Sequence, residues 1–309
     1  MVKISVCTVT YNHERYIAQA IESVLAQRGP DLEIEMVIGE DCSTDNTRAI
    51  VADYASRYPD VVKPLFHAKN LGPGANSCAC LAACTGEFIA ALEGDDYWTD
   101  PNKLRLQVAA LRARPDCMLC FHDAETFDSD DNSVLWTFGE KYAHILPPVG
   151  ALPQAYTQED IARLGWFMPT ASILLRASSL PKPLPDWLSK VLSGDYTLQL
   201  LSTAHGPALY LPKVMSHYRL HKQSLTRTTA LSGEQFKPRI LEAKVLQKEV
   251  FLPESKKYGD LYLADQYAGY AHYLGSQGRR LGQLRYMAQA IFYNPRRLSQ
   301  YILRYLRQS

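Results

Sequence analysis

The chain has 309 residues, of which 47% are apolar and 21% charged, proportions typical of a globular protein that is large enough to bury a substantial core. Its formal net charge is only +1, and its seven cysteines are an odd number without the spacing of a secreted disulfide scaffold. These values exclude a disulfide-stabilised secreted module and predict reduced thiols in a cytoplasmic protein. No segment approaches the ~20 apolar residues of a membrane span, and residues 3–9 are too short and too polar for a signal peptide.

Strand-like and helix-like segments alternate along the first part of the chain. We predict strands over 4–9, 32–39, 61–66, 87–92 and 118–121. Between them, apolar residues recur at helical spacing, as at Ile17, Ile21 and Val24. This alternation predicts an α/β fold built on a doubly wound, mostly parallel sheet with helices on both faces.

The pattern changes after residue 124. Residues 124–165 show weak periodicity, and we interpret them as a variable insert that shapes a second substrate pocket. We predict a strand over 167–176, a helix from residue 193, and short strands over 208–211 and 214–218. The rest of the chain is predicted to be helical. We therefore predict an α/β domain over 1–228 and a C-terminal helical region over 229–309.

Carboxylates crowd the turn that follows the fourth predicted strand. Glu93, Asp95 and Asp96 fall within four residues. Such carboxylates raise one another's pKa unless a cation lies among them, and oxygen-rich sites suit Mg²⁺ or Mn²⁺, which usually also hold substrate phosphates. The turn is either a divalent-cation site or a solvated acidic loop that caps the next helix.

Three polar turns, at 10–13, 40–46 and 93–97, each follow a predicted strand. Ligands of open α/β sheets bind at the carboxyl ends of the strands. We therefore expect the three turns to meet at one edge of the sheet, and this convergence makes a solvated loop a weaker explanation for each of them.

An ordered set of short motifs resembles a bacterial family-2 glycosyltransferase with a GT-A nucleotide-diphospho-sugar transferase fold. The motifs include Thr10-Tyr11-Asn12, Gly39-Glu40-Asp41, Asn70-Leu71-Gly72, Thr85-Gly86-Glu87, Glu93-Gly94-Asp95-Asp96, Ser193-Gly194-Asp195-Tyr196 and Tyr218-Arg219-Leu220-His221. Each motif is weak alone, but their order is specific. The resemblance implies an inverting, metal-dependent hexosyltransferase that uses a nucleoside-diphosphate sugar of the UDP or dTDP type, with a glycan or lipid-linked glycan as acceptor and no nucleic acid.

The resemblance also implies a donor-binding set. Tyr11 would stack on the base, a contact worth ~1–3 kcal/mol in nucleotide sites, unless it is a core aromatic at a strand end. Asp41 would accept a hydrogen bond from the imide N–H of uracil or thymine, whereas Asp45 fits a helix-start residue. The other predicted donor-binding residues are Thr10, Asn12, Glu14, Asn76, Glu93, Asp95, Arg219 and Lys222.

A divalent cation is the implied cofactor. The resemblance assigns it to Asp95 and Asp96, with His221 as a ligand from later in the chain; the alternative for His221 is an ordinary loop histidine. Imidazole suits Mn²⁺ better than Mg²⁺. Glu93 stands where the family pattern has Asp, which puts its role in doubt. Arg219 and Lys222 would pair with phosphate.

Asp195 resembles the general base of family-2 enzymes, which takes the proton of the acceptor hydroxyl as that oxygen attacks the anomeric carbon. The alternative is that Asp195 only begins a helix. His122, Asp123 and Trp166 are predicted to face the acceptor. Intact Asp95, Asp96 and Asp195 argue against a non-catalytic scaffold protein.

The C-terminal residues carry unbalanced charge. Residues 279–309 contain seven Arg and no Asp or Glu, which leaves 26 basic against 32 acidic residues, a balance of −6, in the rest of the chain. Basic and aromatic residues interleave there, as at an anionic membrane surface, which would make the protein peripheral on the inner face of a membrane. A helical lid on the catalytic domain fits equally well, whereas nucleic-acid binding lacks a fold signature.

A nucleotidyltransferase is the other enzyme class on a related sheet. It would require a Gly-rich loop carrying Lys or Arg after the first strand, and residues 10–15 do not form one.

Overall fold

The computed structural model describes residues 1–27, 29–131, 133–222 and 235–297. The strands are β1 (Val2–Thr10), β2 (Leu32–Glu40), β3 (Val62–Phe66), β4 (Phe88–Glu93), β5 (Tyr97–Trp98), β6 (Leu119–Asp128), β7 (Ser133–Thr137), β8 (Gln154–Tyr156), β9 (Leu174–Arg176) and β10 (Ala208–Leu220). The α-helices are α1 (Ile17–Leu25), α2 (Thr47–Arg57), α3 (Pro73–Ala83), α4 (Lys103–Ala113), α5 (Phe138–Lys141), α6 (Gln158–Leu164), α7 (Gly194–Thr203), α8 (Phe236–Glu249), α9 (Lys256–Ser276) and α10 (Arg280–Tyr293).

The strands form one mixed sheet in the order β3-β2-β1-β4-β9-β6-β10-β5, with β7 on β6 and β8 on β10. The long pairings, β1 with β2 and β4, β2 with β3, and β6 with β10, are parallel. The short strands β5, β7, β8 and β9 pair antiparallel. The predicted α/β fold is confirmed, and β1 lies inside the sheet between β2 and β4.

Apolar cores cover both faces of the sheet. On one face α1 buries Ile17 and Ile21, one turn apart, against Ile4 and Val6 of β1. On the other face Cys7 of β1 packs in a second core that includes residues of α3, α6, α7 and α8. Burying each of these isoleucines stabilises the fold by about 2 kcal/mol.

Residues 167–176 are not the continuous strand that the sequence predicts. A 3₁₀ turn at Thr170–Ser172 interrupts them, and only Leu174–Arg176 forms a strand. The backbone N–H and the hydroxyl of Ser172 both donate to the carbonyl of Pro169, so these groups bond locally instead of to a neighbouring strand.

Two further predictions about strands need correction. The short strands predicted over 208–211 and 214–218 are one strand, β10, with register shifts between Leu211 and Ser216. Pro212 has no N–H for the ladder, which explains why the pattern breaks there. Strand β6 also continues past residue 121 to Asp128, and the predicted insert holds the rest of β6 and β7, α5, β8 and α6.

The C-terminal helices pack together and onto the sheet domain. Helices α8, α9 and α10 share a third apolar core. The side chain of Gln158 donates to the carbonyl of Val250 at 3.1 Å, and Glu242 accepts the backbone N–H of Ser193 at 2.8 Å. The boundary predicted at residue 228 lies outside the described residues, so the division into two domains stays a prediction. No described helix combines the length and apolar character that crossing a bilayer requires.

Candidate active site

The three polar turns meet at one edge of the sheet, as the sequence predicts. The backbone N–H of Asp41, after β2, donates to the carbonyl of Thr10 at 3.1 Å, and that of Gly94, after β4, donates to the carbonyl of Val9 at 2.9 Å. A Cβ atom at Gly94 would lie 2.6 Å from Oγ1 of Thr10. The absence of a side chain there lets the acidic turn lie directly against the end of β1.

A cavity of about 350 Å³, here called the first cavity, opens at this edge. It is lined by Val9, Thr10, Tyr11, His13, Asp41, Asn70, Gly72, Pro73, Asn76, Glu93, Asp95, Tyr218 and Arg219. Tyr11 is 42% exposed, so the alternative that it is a core aromatic is wrong. Seven of the residues predicted to bind the donor therefore line one cavity.

Asp41 and Asn76 are held firmly in the wall of the first cavity. The two carboxylate oxygens of Asp41 accept the backbone N–H groups of Leu71 and Gly72 at 2.7 and 2.9 Å. The side chain of Asn76 donates to the carbonyl of Gly39 at 2.8 Å. Because each carboxylate oxygen has a second lone pair, Asp41 retains the capacity to accept a further hydrogen bond from a ligand.

Arg219 lines the first cavity with a guanidinium that is already oriented. Its Nη2 donates to Oε1 of Gln19 at 2.7 Å, and its Cζ lies 4.5 Å from the ring centre of Tyr16. These contacts fix a positive charge beside the acidic turn.

Asn12, Glu14 and Lys222 line a second cavity, also of about 350 Å³. Oδ1 of Asn12 accepts the backbone N–H of Thr44 at 2.8 Å, and Oε2 of Glu14 accepts that of Asn46 at 2.9 Å. Asn12 and Glu14 thus tie the turn after β1 to the loop before α2, and the structure separates them from the first cavity. In the same loop, Asp45 accepts the N–H of Thr47 at 2.9 Å, as expected of a helix-start residue.

Three side chains form a candidate metal centre. Nε2 of His221 lies 3.1 Å and Nε2 of His13 lies 3.9 Å from Oδ2 of Asp95, and one ligand atom of each residue lies within 4.8 Å of the others. Burial alone would raise the pKa of Asp95, but the hydrogen bond with His221 and the charges of both histidines hold that pKa below its usual range. Two imidazoles and a carboxylate fit Mn²⁺ better than Mg²⁺.

His13 is the member of this cluster that the sequence prediction did not include. Its Nδ1 is buried without a partner among the described residues, and burial lowers the pKa of its imidazole. A neutral imidazole is the form that binds metal. The available signal was the position of His13 in the turn directly after β1.

Asp96 is not brought into the cluster of three. Its Oδ1 accepts the backbone N–H of Arg219 at 2.7 Å, which joins the acidic turn to β10. Burial, and then the nearby charges of Asp95 and Glu93, raise the pKa of Asp96 well above its usual value.

Glu93, the first residue of the acidic turn, is close enough to Asp95 and Asp195 to be affected by both of their charges. Burial, followed by the charges of Asp95 and Asp195, raises the pKa of Glu93 to about 8. Glu93 is therefore largely protonated at neutral pH unless a cation neutralises its surroundings.

Asp195 lies in the first turn of α7 with its carboxylate held in place. Nε1 of Trp166 donates to its Oδ2 at 2.5 Å, and Oγ1 of Thr170 donates to the same oxygen at 3.3 Å. Burial raises the pKa of Asp195, whereas these hydrogen bonds oppose the rise. Trp166, predicted to face the acceptor, is thus in contact with the candidate base.

The Trp166→Phe variant is expected to lower kcat about tenfold while leaving the KM of the donor unchanged. A hydrogen bond to a charged group is worth about 1.5–3 kcal/mol, and its loss disfavours the carboxylate form of Asp195. Because the pKa of Asp195 then rises further, the fall of kcat on the acidic side moves to higher pH. The pH profile of kcat measures this shift, with Trp187→Phe as the matched control; an unshifted profile would contradict the role of Trp166.

His122 and Asp123 do not face an acceptor, because both side chains are completely buried. Nδ1 of His122 lies 2.7 Å from the carbonyl oxygen of Asp123, and burial lowers the pKa of His122 well below its usual value. Oδ1 of Asp123 accepts the backbone N–H groups of Ala124 and Gly139, both at 2.8 Å. Their burial on β6 contradicts the prediction that they face an acceptor.

The family comparison covers slightly more than half of the chain: residues 5–168 match the model described as "Glycosyl transferase family 2". An uncharacterized protein of Mycobacterium tuberculosis is 32% identical over 232 residues, which cover 75% of this chain and 63% of the relative. The chain thus spans less than two thirds of the length of this relative.

Two solved structures share the fold. Staphylococcus aureus TarS, a poly(ribitol-phosphate) β-N-acetylglucosaminyltransferase crystallised with UDP-GlcNAc, matches 97% of this chain and 83% of its own with a TM-score of 0.65 and 18% identity. The mannosyltransferase PcManGT from Pyrobaculum calidifontis, in complex with GDP-Man and Mn²⁺, matches 97% and 85% with a TM-score of 0.56 and 17% identity. At these identities the similarity establishes the fold alone.

Proposed function

Because the chain belongs to glycosyl transferase family 2, we propose that it transfers a sugar from a UDP- or dTDP-type donor to an acceptor hydroxyl, with inversion at the anomeric carbon. The acceptor is a glycan or a lipid-linked glycan. One arrangement supports this proposal: exposed Tyr11 and buried Asp41 line the same cavity as His13 and Asp95 of the candidate metal centre.

The first cavity suits a nucleoside diphosphate. The exposed ring of Tyr11 offers a stacking surface for a base. Asp41 offers an acceptor for an imide N–H, which favours uracil or thymine as the base. Arg219, which lines the same cavity, offers a positive charge for phosphate. The sugar nucleotides bound by TarS, UDP-GlcNAc, and by PcManGT, GDP-Man, support a nucleoside-diphosphate sugar as the donor, without distinguishing its base.

The catalytic groups divide into two sets. His13, Asp95 and His221 would hold a divalent cation, which when bound neutralises the negative charge that develops on the leaving diphosphate. Asp195 accepts the proton of the attacking acceptor hydroxyl, and Trp166 and Thr170 hold its carboxylate in position. The raised pKa of Asp195 makes it a stronger base than an ordinary aspartate.

Calorimetric titration with UDP, with and without Mn²⁺, tests this proposal. UDP is expected to bind more tightly when Mn²⁺ is present. Tyr11→Ala should weaken UDP binding about tenfold through the loss of stacking, whereas Tyr11→Phe keeps the ring and should change it little. If the affinity for UDP changed neither on adding Mn²⁺ nor on replacing Tyr11 by Ala, a scaffold protein that retains only the fold would be favoured instead.

A further inference from the structure

The outer face of α10 carries an apolar stripe that the described residues of the chain leave exposed. At about 100° per residue, five exposed residues lie within about 100° of arc on this helix. We call them the outer stripe: Leu281, Leu284, Arg285, Ala288 and Phe292. Leu281 is 86% exposed and Phe292 is 78% exposed, values that are unusual for large apolar side chains on an ordered helix.

The opposite face of α10 already has its partner. Gln283, Met287 and Ala290 are buried, and Met287 and Ala290 belong to the third core with residues of α9. The outer stripe is therefore not needed to hold α10 in place. Its apolar residues repeat at helical spacing, as expected of a second binding face.

The charged residues of α10 and of the residues that flank it all have positive charge. Arg279, Arg280, Arg285 and Arg296 are exposed. From Arg279 to the last residue, Ser309, the sequence contains no Asp or Glu. An occupant of this surface must therefore accept apolar side chains and provide negative charge.

We propose that the outer stripe docks on the surface of an anionic lipid bilayer, with α10 lying in the plane of the interface. An interfacial helix inserts its apolar side chains below the headgroups while Arg pairs with anionic lipid. A second copy of the chain fits less well, because a two-fold contact of the stripe with itself would bring two Arg285 side chains into one interface, and the stripe contains no acidic residue to pair with them. Nucleic acid supplies negative charge but no apolar layer for Leu281 and Phe292.

Vesicle co-sedimentation without any donor sugar tests this inference independently of the proposed function. The full chain is mixed with vesicles of phosphatidylglycerol and phosphatidylcholine in equal parts, or of phosphatidylcholine alone. Binding is expected only with the anionic vesicles. Replacing Arg285 by Gln should lower the partition coefficient about fivefold, since each basic residue near such a surface contributes about 1 kcal/mol.

The apolar contribution is tested with a matched pair of variants. Leu281→Ser together with Phe292→Ser should lower binding to the anionic vesicles by about tenfold or more. Leu152→Ser is the control, because Leu152 is also 86% exposed and lies outside the C-terminal helices. Arg112→Gln, an exposed arginine on α4, is the corresponding charge control.

Each other outcome overturns the inference. Equal binding to both vesicle types, no binding to either, or equal losses in the Leu152 and Leu281 variants would exclude a specific anionic-lipid surface. Gel filtration with light scattering tests whether a second copy of the chain occupies the stripe. A dimer that Leu281→Ser converts to a monomer would identify the stripe as a self-association interface. Circular dichroism of each variant confirms that a loss of binding does not reflect unfolding.

Discussion

The Asp195→Asn variant is expected to lose turnover by about 10²–10⁴-fold, the range that a positioned general base contributes. Asn has the same shape and keeps an oxygen that can accept the hydrogen bonds of Trp166 and Thr170. It cannot take a proton from an acceptor hydroxyl. Because Asp195 does not line the first cavity, donor binding should stay unchanged.

Single-turnover assays and UDP titration separate these two effects. The rate of nucleoside-diphosphate release reports chemistry, and calorimetry reports binding. Asp186→Asn is a matched control, since Asp186 is exposed in the 3₁₀ segment before α7. A variant that retains near-normal turnover would remove Asp195 from the mechanism, and one that loses both binding and turnover would indicate a structural role at the start of α7.

The parts of the fold that the sequence predicts well are those governed by local periodicity. The first four strands and the helices between them are predicted because their apolar residues repeat at a period of two or near 3.6. The edge of the sheet that carries the site follows from the same argument, since polar turns after parallel strands must meet. Tyr11, Asp41 and Asp95 were therefore correctly placed together at the first cavity.

The partners of each side chain depend on distant packing and are not predictable in this way. Trp166 and Asp195 are 29 residues apart, and Asp96 lies 123 residues from the backbone group that it binds. The sequence pattern of an acidic turn is the same whether a given carboxylate points toward a metal or toward a strand. His122 illustrates the same limit, because β6 continues to Asp128 instead of ending at residue 121, so that His122 lies inside the sheet and is buried.

The 3₁₀ turn shows how an irregular segment produces the site. The apolar run over 167–176 looks like a strand, but Pro169 and Ser172 close a local turn. That turn places Thr170 within 3.3 Å of Asp195. A regular strand would send alternate side chains to opposite faces of the sheet and leave no loop at this position.

The Asp95→Asn variant is expected to lower Mn²⁺ affinity and turnover by about 100-fold or more. Removing a residue that only hydrogen-bonds to a metal ligand already lowers metal affinity or activity by about 10–100-fold. Loss of Asp95, the carboxylate of the three-residue cluster, should lower them at least as much. His13 and His221 remain in this variant, but two neutral imidazoles without a carboxylate provide little attraction for a hard cation. Calorimetric titration with Mn²⁺ in the presence of UDP measures the affinity.

The neighbouring residue provides the sharpest comparison. Asp96→Asn makes the same chemical change one position later, and its remaining oxygen can still accept the backbone N–H of Arg219. Because Oδ1 of Asp96 already accepts the backbone N–H of Arg219 and burial raises the pKa of Asp96, which favours its neutral form, replacement by the neutral Asn should leave Mn²⁺ affinity within about threefold of wild type. If Asp96→Asn abolished Mn²⁺ binding while Asp95→Asn preserved it, the cation would have to lie among the buried carboxylates, away from the two histidines.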